Sequence, residues 1–231
     1  MSVLLRKHEQ SVAFALVFSN GIWLYYRPHC YYSVDAMWDQ RYDTSEYVYG
    51  TDPNEFLAGT VADMPAGRTL CIAEGEGRNA VFLAEHGHEV VAVDASAVGL
   101  EKANRLAASR GVHIDTVRAD LADFDIETDS WDVIVSIFAH VPPDIRKPLH
   151  RKIVQGLHSG GMLVLEAYTP GQIKLGTGGP PVPEMTMMLA GLREELDGLV
   201  FIHALELERE VIEGRLHTGK GAVVQLVAIK P

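Results

Sequence analysis

The segment that most constrains this chain runs from Leu70 to Ala80 (LCIAEGEGRNA) and on to Val90–Asp94 (VVAVD). It reads as a buried strand, a glycine turn, a helix, and a second strand ending in a carboxylate. Gly75 and Gly77 remove side chains where the backbone must turn tightly and a ligand must come close. The helix expected from Asn79 directs its unpaired N–H groups and its positive dipole end at the same place. Asp94 stands where a carboxylate can accept hydrogen bonds from two ribose hydroxyls. Strand, turn, helix and acid together point to a nucleoside-containing cofactor.

The rest of the chain continues the alternation. Leu70–Glu74 and Glu89–Asp94 are predicted strands, and Ser96 can cap a helix that ends at Gly111. His113–Arg118 is a third strand. The near-continuous apolar run Trp131–Phe138 suits a central parallel strand covered on both faces. Pro142 and Pro143 open a helix to Gly156, Gly160 and Gly161 precede a strand over Met162–Tyr168, and an apolar helix is expected over Met185–Leu196. Leu199–Val211 and Ala222–Ile229 read as a closing hairpin linked through His217–Gly221, which makes the last strand antiparallel. The predicted fold is α/β, a doubly wound, mostly parallel, seven-stranded Rossmann-like sheet with an antiparallel C-terminal hairpin. Residues 171–183, rich in glycine and proline, read as an active-site loop.

At 231 residues the sequence suits one domain with a sizeable core, and its 47% apolar and 22% charged residues are ordinary for a globular chain. A net charge of −11 argues against nucleic acid or an anionic membrane as partner. Residues 1–36 are unlike the rest of the chain. Ser11–Tyr26 is apolar but short for a bilayer span, and it lacks a small-residue cleavage site. It is a docked element, a weak membrane-associating segment, or an over-extended start; the last is preferred. The expected organisation is therefore an N-terminal extension over 1–36 and one domain over 37–231. A cytoplasmic location, a monomer or weak homodimer, and no integral membrane span complete the expectation.

The turn at 70–80, Asp94, Asp120-Leu121, the WDVIV strand, the glycine pair before strand five and the closing hairpin together resemble the class I S-adenosylmethionine-dependent methyltransferases. The opening Trp38–Tyr42 (WDQRY), Tyr49–Asn54 (YGTDPN) and Phe56-Leu57 are similar to the small tellurite-resistance and thiopurine-type branch. The resemblance implies S-adenosylmethionine as cofactor. It implies that Asp94, with Ala95 beside it, meets the ribose, that Asp120 and Leu121 meet the adenine, and that Phe138 contacts the cofactor from the end of strand four. Family members carry an acid at the position of Cys71 and a glycine at that of Ala73. Here Glu74 or Glu76 is expected at the cofactor's ammonium, with Arg78, Asn79 or helix N–H groups near its carboxylate.

His140, just past strand four, is the candidate general base. Trp38, Tyr42, Tyr49, Tyr168, Arg209 and His217 are expected around a small-molecule acceptor: a thiol, a chalcogen anion or a heteroaromatic thiol. No metal-ligand spacing is present. Two other readings compete. The G-x-G-x-x-A match at 75–80 also fits a nicotinamide-dependent oxidoreductase, although Glu74 and Glu76 would crowd a pyrophosphate. A non-catalytic interaction domain on the same fold is the third.

Overall fold

A computed structural model describes residues 34–180 and 182–231, and the main chain of 17–18 and 21–22. Two units separate, 1–33 and 34–231. In the first, β1 (Val17–Phe18) pairs antiparallel with β2 (Gly21–Ile22). The expectations for residues 1–36 otherwise fall outside the described residues up to Ser33.

The second unit opens with α1 (Val34–Tyr42) and α2 (Glu55–Thr60). Asn54 caps α2, its Oδ1 accepting the Leu57 N–H at 2.9 Å. Next come β3 (Arg68–Ile72), α3 (Arg78–Glu85), β4 (Glu89–Asp94), α4 (Ala97–Arg110), β5 (Asp115–Arg118), β6 (Trp131–Ile137), α5 (Pro143–Gly156) and β7 (Leu157–Tyr168). Short helices α6 (Gln172–Leu175) and α7 (Leu189–Glu195) lead to β8 (Val200–Glu213) and β9 (His217–Ile229). The sheet order is β5-β4-β3-β6-β7-β9-β8. All neighbours are parallel as far as β7, and β9 runs antiparallel to both β7 and β8. This is the doubly wound sheet that the alternating pattern predicts.

Successive residues of β3 face opposite sides, as strand geometry requires. Leu70 and Ile72 join Ile134, Ile153, Leu163 and Leu226 in one core layer. Cys71 joins Val90, Val133, Val135, Leu57 and Leu83 in the other. Central strands covered on both faces must be apolar throughout, which accounts for the runs in β6 and β7.

Local chain elements differ from expectation in three places. Gly160 and Gly161 lie inside β7, not before it, because they pair with Lys230 at the exit of β9. The apolar helix expected over Met185–Leu196 is a single 3₁₀ turn at Pro183–Met185 followed by α7. The hairpin turns at residues 214–216, and His217–Gly221 belongs to β9, paired with Arg209–Glu213. The turn is placed by a distant contact. Gly214 (φ +71°) backs onto Tyr49 and Gly50 so closely that a Cβ would lie 2.4 Å from the Tyr49 carbonyl carbon. The Arg215 N–H donates to the Val48 carbonyl at 3.0 Å.

Candidate active site

The C-terminal ends of β3, β4, β6 and β7 converge on one edge of the sheet, where ligand crevices of open α/β sheets form. At the end of β3 the chain passes through Ala73 (φ +50°), Gly75 (φ +62°) and Gly77 (φ +91°) before entering α3. Ala73 thus holds the left-handed conformation that glycine adopts freely and other residues adopt at a cost. A Cβ on Gly77 would sit 2.5 Å from the Ala103 Cβ, so glycine lets α3 pack tightly on α4. Gly77 has no side chain to cap α3. Glu74 does it instead, Oε1 accepting the N–H groups of Asn79 (2.9 Å) and Ala80 (2.8 Å). Its Oε2 accepts no hydrogen bond from a described residue.

Asp94 closes the turn from the neighbouring strand. Its Oδ2 accepts the Gly75 N–H and its Oδ1 the Ser96 N–H, both at 2.8 Å. Burial pushes Glu74 up to about 7, against the opposing pull of its helix N–H partners and Arg78. Burial likewise lifts Asp94 to about 6, against its own main-chain donors. Both carboxyls are therefore poised to gain from an arriving cation. Cys71, where the resemblance leads one to expect an acid, is wholly buried in the core, where its thiol is pushed up and stays neutral.

Glu76 is placed differently from its neighbour Glu74. Its carboxylate is buried and taken by Lys102 Nζ (2.6 Å) and by the N–H groups of Val48 (2.8 Å) and Tyr49 (3.3 Å). Lys102 also donates to the carbonyls of Tyr42 and Glu46. The pair clamps the 42–49 segment onto the glycine turn and leaves Glu76 no free oxygen. Asp39 adds a latch from α1, its Oδ1 accepting the Ser96 hydroxyl at 2.5 Å. Tyr42, held between them, packs its hydroxyl on Gly75; a Cβ there would lie 2.5 Å from it.

Above this turn the aromatic residues form a continuous cluster. Trp38 stacks on Tyr42 (5.5 Å between centroids), and Tyr42 meets Tyr49 edge-on at 6.3 Å. Tyr49 lies 4.6 Å from His217, which stands 5.0 Å from Phe138 and 5.5 Å from Tyr168. Phe138 stacks on Tyr168 at 4.6 Å. Phe138 reaches this position through a left-handed exit from β6 (φ +52°), with its N–H bonded to the Glu166 carbonyl at 2.7 Å. Arg41 donates to the Tyr49 hydroxyl at 3.0 Å.

The two histidines near this cluster differ. His140 bonds main chain through both ring nitrogens, Nδ1 to the Met185 carbonyl (2.9 Å) and Nε2 from the Tyr168 N–H (3.1 Å). Burial holds it down to about 4, so it is a neutral strut without a free lone pair. His217 is also buried, and neither of its nitrogens hydrogen-bonds a described residue. Burial, with the charge of Arg78 next, keeps it neutral, well below the usual histidine range.

Arg209 is held in a buried ion network and not in the aromatic cluster. Its guanidinium forks onto Glu166 (Nε–Oε1 2.8 Å, Nη2–Oε2 2.7 Å) and reaches Glu213 at 2.8 Å. Gln225 and Asn54 complete the coordination of Glu166. Asn54 also donates to Glu213, and Arg78 bonds the remaining Glu213 oxygen at 2.5 Å. Asn54, Glu166, Glu213 and Lys102 were not among the expected site residues. Glu166 carried a signal, as a lone charge inside the apolar strand Met162–Tyr168. Asn79 offers its N–H to Glu74 and its Oδ1 to the Asn54 N–H. Asp120 caps the turn after β5 by accepting the Ala122 N–H at 2.9 Å, Leu121 enters the core, and the Ala95 carbonyl accepts from Arg118.

A groove of about 520 Å³ lies apart from this edge, where α2 faces β7, β9 and β8, lined by Phe56, Met162, Ile202 and Val227 among others. Among the described residues no group of three or more His, Cys, Asp or Glu could hold a metal ion, and no helix is long and apolar enough to cross a membrane.

Residues 69–161 match the methyltransferase domain family. An uncharacterized methyltransferase of Bacillus subtilis (strain 168), YbaJ, is 31% identical over 104 residues, 45% of this chain and 41% of that protein. The chain spans less than half the length of the curated relatives it matches. Among solved structures, one described as converting a disulfide bond into a thioacetal group during echinomycin biosynthesis superposes with a TM-score of 0.70. It is 17% identical, over 86% of this chain and 92% of that one. TehB from Haemophilus influenzae superposes with a TM-score of 0.63 at 17% identity, over 85% of this chain and 67% of that one. These two likenesses speak for the fold. Residues 69–161 are thus similar to a methyltransferase domain, and the glycine turn, Asp94 and the sheet order fit the class I, S-adenosylmethionine-dependent type.

Proposed function

We propose that this chain transfers a methyl group from S-adenosylmethionine to a small-molecule acceptor held in the aromatic cluster. The observation that carries the reading is the meeting of Tyr49, Phe138, Tyr168 and His217, from four separate segments, beside the glycine turn of β3. When bound, the cofactor supplies an electrophilic methyl group on a sulfonium. Its fit is supported by the two buried carboxyls of Glu74 and Asp94 and by an unpartnered donor on Arg78. Asp94 and Ala95 serve the ribose, Asp120 and Leu121 the adenine, and Phe138 the space between cofactor and acceptor. Glu74, through Oε2, meets the ammonium; Glu76 supports the turn.

In-line displacement is accelerated by holding donor and acceptor collinear with water excluded. Tyr49, Phe138 and Tyr168 do both, and their π faces favour a sulfonium by about 0.5–2 kcal/mol. A thiolate or reduced chalcogen anion needs no base, and neutral, apolar rings tolerate either. Where the acceptor carries a proton, His217 offers the free imidazole and His140 does not. Arg209 supports the site from beneath. The cluster's size, and the chain's negative charge, favour a small acceptor over nucleic acid.

The test is transfer of a radiolabelled methyl group from S-adenosylmethionine, under reducing conditions, to a panel of aliphatic thiols, heteroaromatic thiols, selenium and tellurium oxyanions, amines and hydroxyl compounds. Label appearing on one of these classes supports the acceptor reading. Label appearing only on amines or hydroxyls would overturn it while leaving the cofactor in place.

A further inference from the structure

Arg78 opens α3 directly after the glycine turn, is nine-tenths buried (7% exposed), and has an unusual pair of terminal nitrogens. Nη2 bonds Glu213 Oε2 at 2.5 Å. Nη1 is equally buried and has no hydrogen-bond partner. A buried donor on a permanent cation left without an acceptor is costly and rare in folded proteins. Arg78 follows the glycine turn and bonds Glu213, the strand partner of His217, so its guanidinium joins the turn to the hairpin end that carries the aromatic cluster.

Glu213 cannot follow Arg78 if the arginine swings. Its other oxygen is fixed by Asn54 and by Arg209 (2.8 Å each), and Arg209 is in turn forked onto Glu166. Two arginines face the two buried glutamates, Glu166 and Glu213, whose four carboxylate oxygens each have a donor, and the more exposed Glu55 meets Arg209 at 3.3 Å. Among the described residues, Nη1 of Arg78 is the one fully buried guanidinium nitrogen that lacks an acceptor.

We infer that Glu213 is a positioning residue: from the end of β8 it holds the Arg78 guanidinium so that Nη1 donates to the carboxylate at the amino-acid end of S-adenosylmethionine. The inference rests on the cofactor reading above. Glu74, four residues before Arg78, keeps Oε2 free, so the turn offers one acid and one base to a zwitterion. Glu213 is also the residue paired with His217 across the hairpin. The same hairpin end would then set Arg78 on the cofactor side and His217 on the acceptor side.

The test is calorimetric binding of two ligands to the full chain: S-adenosylhomocysteine, and its analogue lacking only the α-carboxylate. The wild type is expected to favour the first by about tenfold or more, as a charge-assisted hydrogen bond allows. Glu213→Gln and Arg78→Gln are each expected to lose about tenfold toward S-adenosylhomocysteine and less than about twofold toward the analogue. Glu213→Asp is expected to recover part of the loss. Should Glu213→Gln fail to fold, Arg78→Lys, which keeps the charge and loses the fork, carries the same comparison. Equal losses toward both ligands, or no loss toward either, would overturn the inference and leave the cofactor reading intact. A wild type that binds neither ligand would overturn both.

Discussion

The two sides of the site are built in opposite ways. The proposed cofactor side is contiguous: residues 72–80 turn on two glycines, cap their own helix through Glu74, and take Asp94 from the neighbouring strand as acceptor for the Gly75 N–H. The acceptor side has no local structure of its own. Tyr49, Phe138, Tyr168 and His217 come from four segments, brought together by the sheet order and by the docking of residues 48–50 on the hairpin turn. A turn whose hydrogen bonds are local is fixed by its own backbone, whereas a cluster of remote rings is only as well placed as the buried polar contacts that hold its segments. Lys102–Glu76 and the Arg78–Glu213–Arg209–Glu166 network are those contacts.

The largest effect should come from breaking the clamp between the sides. Lys102→Met leaves Glu76 buried without its cation, and losing one partner of such a pair costs about 3–5 kcal/mol. Chemical denaturation should show that loss, and a loss below about 1 kcal/mol would mean the Lys102–Glu76 pair is not what holds the 42–49 segment. Next is the cofactor side itself. Asp94→Ala should weaken S-adenosylhomocysteine binding by about tenfold or more, since it removes hydrogen bonds to a charged acceptor. Unchanged affinity in a folded variant would remove Asp94 from the site.

On the acceptor side, His217→Ala should leave S-adenosylhomocysteine affinity within about twofold while lowering transfer to a protonated acceptor by about a hundredfold, the lower range of base catalysis. Weakened cofactor binding in that variant would show that the two sides are one. His140→Ala should instead loosen the 183–188 segment and shift the melting temperature.

The pH dependence separates the sides further. Glu74 and Asp94 have folded-state values of about 7 and about 6, above their ordinary 4.5 and 3.8. Between about pH 4 and 7 the folded chain therefore keeps protons that the unfolded chain has released, and their contribution to stability falls as pH rises through that window. A bound cation favours their ionised forms, so S-adenosylmethionine affinity should fall by about tenfold as pH drops from 8 to 6. Glu74→Gln should flatten that profile. Arg78, Asp39 and the α3 N–H groups face the two carboxyls. The smallest effect concerns Ala73. Replacing it with glycine relieves the left-handed strain and should raise stability by about 1 kcal/mol without changing cofactor affinity.

The same contrast governs what could be read from the sequence. The sheet, the turn and Asp94 were legible because apolar runs, glycines and the terminal acid lie close along the chain. Glu74 and Glu76 looked equivalent, two residues apart on one turn, until Lys102 from α4 claimed the second. His140 reads as the base because it follows strand four, whereas the main-chain partners of its two ring nitrogens, Met185 and Tyr168, lie 28 or more residues away and give no local signal. Arg209 reads as a pocket residue in isolation. The alternation of β8 sets it on the same side as Glu213, and the pairing through β9 brings Glu166 within reach. The hairpin turn was misplaced because Gly214, Gly219 and Gly221 are all credible turn residues; contact with Tyr49 selects the first.

The central claim is that the contiguous side binds S-adenosylmethionine. Calorimetric titration of the full chain with S-adenosylhomocysteine, with NADH run in parallel, tests it most directly. The account predicts micromolar binding of the first and none of the second. Binding of NADH alone would contradict it and make the glycine turn a dinucleotide site.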